Sequence, residues 1–105
     1  MDTEPLSKQV IAERLEQARE QIQALGVRRI ALFGSFARGQ AHAESDVDLL
    51  VEFDPEKKTL DNFMALSFML DDLLQRRADV VTTEALSPFI GPHILREAED
   101  VLLAA

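Results

Sequence analysis

The run Asp46-Val47-Asp48-Leu49-Leu50-Val51-Glu52-Phe53 constrains this chain more than any other feature. Read with period two, it puts Val47, Leu49, Val51 and Phe53 on one wholly apolar face and Asp46, Asp48, Leu50 and Glu52 on the other. That separation is the property of an extended strand with one packed face and one wetted face. Such a strand needs paired neighbours and a layer of helices over its apolar side.

The flanking segments supply both. Val27 to Phe33 is short, rich in apolar residues and ends at Gly34, which predicts a strand. Ser35 to Gly39 then reads as one or two turns of helix, and Gln40 to Ser45 as a polar loop. Ser7 to Leu25 carries Val10, Ile11, Leu15, Ala18, Ile22 and Leu25 at helical spacing, with Ser at its start and Gly26 as its stop, which predicts one long amphipathic helix. After the loop Asp54 to Lys58, Thr59 caps a helix from Leu60 to about Arg77. Its residues Phe63, Met64, Leu66, Phe68, Met69 and Leu70 make it apolar over more of its circumference than one sheet face can cover. Ala78 to Thr83 reads as a third strand, and Ile94 to about Leu103 as a last short helix.

The short link between the first two strands predicts an antiparallel return. The helix-bearing segment Asp54 to Ala78 is long enough for a right-handed crossover to a parallel third strand. The expected fold class is α/β (α+β): a small mixed sheet with helices packed on one side, residues 1–105 forming a single domain. With 47% hydrophobic and 29% charged residues the chain has the composition of a folded domain. It has no cysteine, so disulfides and thiolate metal sites are excluded. Eleven Lys and Arg against 19 Asp and Glu give a net charge of -8, the wrong field for gripping a phosphodiester backbone, so no direct nucleic-acid partner is expected. No apolar run approaches the ~20 residues of a membrane span, and the cytoplasm is the expected compartment.

Chemistry concentrates on the acids. Asp46 and Asp48 leave one strand face ~6.5 Å apart along the chain, and Asp79 opens the next strand. If the second and third strands are parallel neighbours, all three carboxylates converge. Two like charges ~6 Å apart repel by roughly 3 kcal/mol at an effective dielectric of ~20, so such a cluster calls for a cation. Oxygen donors without Cys suit a hard ion, Mg²⁺ or Mn²⁺. The antiparallel return brings Gly34 and Ser35 beside those acids. Gly34 lets a backbone amide approach a ligand closely, and Ser35 adds a hydroxyl where outward-pointing N–H groups collect. Arg38 either reaches phosphate oxygens or pairs with Glu44 or another nearby acid. His42, His93, Ser45, Lys57-Lys58 and Arg76-Arg77 read as ordinary loop and surface residues.

Gly34-Ser35, ten intervening residues and Asp46-Val47-Asp48, followed by Asp79-Val80-Val81-Thr82, resemble the motif of the DNA polymerase beta type nucleotidyltransferase superfamily. The small size points to its minimal nucleotidyltransferase (MNT) branch. The resemblance implies that Asp46, Asp48 and Asp79 hold the metal, with two Mg²⁺ ions expected, and that Asp79 takes the proton of the nucleophile. It implies that Gly34 and Ser35, with Arg38 beside them, bind the triphosphate of ATP. MNT proteins of this size resemble antitoxins that transfer AMP to a tyrosine of an HEPN-type ribonuclease toxin. The implied assembly is a hetero-oligomer with that toxin, with a homodimer left open. Two other readings stay open: an antitoxin that neutralises its partner by binding alone, and a nucleotidyltransferase acting on a small molecule.

Overall fold

A computed structural model describes residues 6–89 and 91–103. Ser7 opens the first helix, α1 (Lys8–Gln17), by accepting the Val10 N–H on its side chain. The expected single long helix is broken at Ala18, whose backbone leaves helical geometry (φ -103, ψ 17), and a second helix, α2 (Arg19–Ala24), follows. The buried stripe Ile11, Leu15, Ala18 and Ile22 runs on through the break, so the helical burial pattern holds although the helical backbone is interrupted.

The strands β1 (Val27–Phe33), β2 (Val47–Phe53) and β3 (Ala78–Thr82) form where expected, with the short helix α3 (Gly34–Arg38) between the first two. Between β2 and β3 lies α4 (Leu60–Leu74), capped by Thr59, whose hydroxyl accepts the Asn62 N–H at 3.1 Å. It stops at Gln75 in the left-handed region (φ 52), three residues short of β3 and before the expected Arg77. A 3-10 turn (Thr83–Ala85) leads on to α5 (Gly91–Glu97) and β4 (Glu99–Leu103). The last helix is therefore shorter than expected, and 99–103 is a strand. It pairs antiparallel with β1, setting Leu102 opposite Ile30 on the core face, and Asp100 reaches Arg29 at 3.2 Å across the edge.

The sheet order is β3-β2-β1-β4, with β1 and β2 antiparallel and β2 and β3 parallel. Ile30, Leu32, Val47, Leu49, Val51, Phe53 and Leu102 form the face that packs on the helices. The other face carries Asp48, Leu50 and Glu52 as expected, but it is not wet throughout: Leu50 is 1% exposed. Pairing sets it in a row between Ala31 and Val81, so the middle of that face is apolar and its end acidic. No helix among the described residues is long and apolar enough to cross a membrane.

α4 divides its apolar residues between core and surface. Leu66, Leu70 and Leu74 are buried, whereas Leu60, Met64 and Phe68, spaced four apart, are exposed. Leu70→Ala should cost about 2 to 5 kcal/mol of stability in chemical denaturation. Phe68→Ala, two residues away on the exposed stripe, should cost no more than ~0.5 kcal/mol.

Candidate functional site

The hairpin of β1 and β2 sets the end of one strand against the start of the other. Phe33 pairs with Asp48, so Gly34 and α3 begin beside the Asp48 side chain. On the other flank, Asp48 pairs with Asp79 in parallel register. Asp46 stands just ahead of β2 and is exposed, as is Asp79, while Asp48 is half-buried. Gly34 has φ +77, and its Cα lies so near Asp48 that an added Cβ would sit 2.0 Å from Oδ2. Ser35 is half-buried in the first turn of α3.

The field at Asp48 reflects this crowding. Burial first, then the charges of Asp79 and Asp46, push its pKa above the ordinary 3.8; Arg38 pulls the other way and Glu97 adds to the rise. Asp79 and Asp46 thus lie near enough to Asp48 for their charges to act on it. Among the described residues, however, no three acidic or histidine side chains already stand as a ready ligand set. Asp46 and Asp79 are exposed, so they can turn toward Asp48 at little packing cost. An oxygen-only donor set with mutually repelling charges fits a hard divalent cation.

Arg38 meets an acid, but not Glu44. Its Nη1 donates to Glu97 Oε1 at 2.5 Å and its Nε to Gln40 Oε1 at 3.2 Å. Glu97, from the far end of the chain, also accepts the Gly34 N–H on Oε2 at 3.3 Å. Sequence reasoning missed Glu97, and no local pattern marks it: α5 carries it to the site by packing on α3. Arg76 is likewise not a solvated charge. It lies 5.7 Å over the Phe36 ring and donates to the Ser45 carbonyl at 2.8 Å, holding the loop ahead of Asp46. Ser45 is a loop residue as expected, though buried, and its hydroxyl accepts the His42 N–H at 2.9 Å. His42 and His93 are exposed, and Lys58 pairs with Glu84. A groove of about 370 Å³ lined by Leu6, Lys8, Phe36 and Ala41 contains none of the three aspartates, so the acidic site lies outside it.

Known proteins resemble this chain in sequence and in fold. Protein adenylyltransferase MntA of Thermococcus cleftensis is 42% identical over 79 residues, 75% of this chain and 79% of its own. A solved structure described as a minimal nucleotidyltransferase is 38% identical with a TM-score of 0.68, covering 84% of this chain and 93% of that one. The MNT antitoxin fold in complex with a tri-AMPylated HEPN toxin of Shewanella oneidensis is matched with a TM-score of 0.64 at 16% identity, over 90% of this chain and 71% of that one, which shows a shared fold. Residues 13–101 match the nucleotidyltransferase domain model. This chain belongs to the nucleotidyltransferase domain family and is an enzyme of that class.

Proposed function

We propose that residues 1–105 act as one catalytic unit that transfers AMP from ATP to a hydroxyl, a tyrosine side chain, of an HEPN-type toxin, and that the transfer silences the toxin. The observation that carries this reading is the placement of Asp48 between Gly34 and Asp79 at the acidic end of an otherwise apolar sheet face. The likeness to a protein adenylyltransferase and to the fold of an MNT antitoxin in complex with an AMPylated HEPN toxin supports this reading.

In this reading Asp46, Asp48 and Asp79 hold Mg²⁺, which supplies positive charge for the transferring phosphoryl oxygens and the leaving pyrophosphate. The Gly34 N–H and the Ser35 hydroxyl orient the triphosphate, and Arg38 offsets its charge. The acceptor oxygen attacks the α-phosphorus, the bond from that phosphorus to the bridging oxygen of pyrophosphate breaks, and Asp79 takes the hydroxyl proton. Alignment of acceptor and phosphorus supplies much of the remaining acceleration. The exposed stripe Leu60, Met64 and Phe68 and the net charge of -8 support docking on a basic protein partner.

The test uses ATP labelled in either the α or the γ phosphate, incubated with the chain, an HEPN-type toxin and Mg²⁺. The α label should appear on the toxin, the γ label should not, and EDTA should abolish transfer. Absence of α label from the toxin overturns the proposal. Toxin neutralisation that survives Asp46→Asn with Asp48→Asn and needs no ATP would replace it with neutralisation by binding alone.

A further inference from the structure

Glu97 occupies the donors that the nucleotide reading gives to phosphate. One of its oxygens takes the Gly34 N–H and the other the Arg38 guanidinium, at 3.3 and 2.5 Å. A carboxylate spanning two such donors presents paired oxygens much as a phosphate does. It is also an acid in an unfavourable place. Glu97 is the last residue of α5, where the helix dipole is negative, and it lies close enough to Asp48 for the two charges to repel. Gly34 and Arg38 compensate it, so whatever takes those donors also removes what holds the carboxylate there.

We propose that Glu97 is a resident anion of the phosphate cradle, a carboxylate that the incoming triphosphate must displace and that thereby weakens nucleotide binding. The inference rests on the nucleotidyltransferase reading and adds to it a residue that sets affinity. Displacement needs only side-chain rotation: the Arg38 and Glu97 side chains are 50% and 26% exposed, and an ion pair so open to water is held weakly. Arg38 keeps its second partner, Gln40, when Glu97 leaves, so the guanidinium stays poised for phosphate. Glu97 itself is a positioning residue, since it acts on the nucleotide through donors that it vacates.

Calorimetric titration of the full chain with inorganic tripolyphosphate and with MgATP, together with steady-state AMP transfer, tests this. Glu97→Gln should tighten both ligands by about fivefold, the scale of one half-exposed charge pair. It should lower KM for ATP by the same factor while leaving kcat within about twofold, a split that general loosening of the fold would not produce. Glu97→Ala, with Tm recorded for each protein, serves if the Gln variant does not fold. Wild-type binding that is unchanged or weakened in the variants overturns the role of Glu97 alone. Failure of the wild type and the variants alike to bind either ligand overturns the nucleotide reading beneath it.

Discussion

Asp48→Asn is expected to yield a protein that is more stable and nearly inactive. The half-buried Asp48 carboxyl stands between Phe33 and Asp79 in the pairing of its strand, and burial together with the charges of Asp79 and Asp46 raises its pKa from 3.8. A carboxyl whose folded pKa is raised binds its proton more tightly in the native state than in the unfolded chain. Its ionisation therefore costs stability, a cost absent below the unfolded pKa, growing as pH climbs through the folded one and fully present above it. Asn keeps the shape and discards the charge. With the chelated, metal-free protein at neutral pH we expect a gain on the order of 1 kcal/mol after solvent screening, roughly 4 to 8 °C in Tm for a domain of this size. The gain should vanish in acid, once both states of the wild type are protonated. Transfer of the α label should fall by on the order of a thousandfold, because charge stabilisation at the reacting phosphoryl is worth several kcal/mol. Thermal melts at two pH values, paired with the labelling assay, check both halves. A variant no more stable than wild type at neutral pH would mean that the Asp48 charge is already compensated in the free protein.

The features that were legible in the sequence are those whose cause is local. Period-two alternation from Val47 to Phe53, the Gly34 stop and the Thr59 cap each act within a few residues, and the strands and α4 follow from them. So does the meeting of Gly34, Asp48 and Asp79, because one short hairpin and one crossover determine it. The rest depends on partners distant in the chain. Ala18 breaks a helix with neither Gly nor Pro nearby, and on its C-terminal side Arg19 bonds to the Leu103 carbonyl, 84 residues away. Five residues at 99–103 are too few for periodicity to separate helix from strand, and the open edge of β1 decides. Glu97 is 63 residues from Gly34, so neither residue announces the other. The choice for Arg38 between phosphate and acid dissolves in the same way, since the acid it meets sits on the donors proposed for phosphate.

Gly34→Ala is expected to damage both stability and activity, and Gly39→Ala shows which part of the damage is chemical. Both glycines have positive φ, +77 and +71, a region in which any other residue pays about 1 to 2 kcal/mol. Their surroundings differ. An added Cβ at Gly39 meets nothing within 4 Å, whereas at Gly34 it would lie 2.0 Å from Oδ2 and 2.9 Å from Cγ of Asp48. The two variants therefore share the backbone penalty, and both should melt lower than wild type. Only Gly34→Ala must also push the Asp48 carboxylate aside and turn the N–H that faces the cradle. A displacement of ~1 Å at a reacting site is worth about a hundredfold in rate, so its AMP transfer should fall by at least that factor while Gly39→Ala stays within a fewfold of wild type. Because Asp48→Asn does not make the side chain smaller, the clash persists in the double variant, which should lose the stability that Gly34→Ala costs alone and melt below Asp48→Asn. Equal losses of transfer in the two glycine variants would mean that backbone strain in α3, and not the approach of Gly34 to Asp48, governs the site.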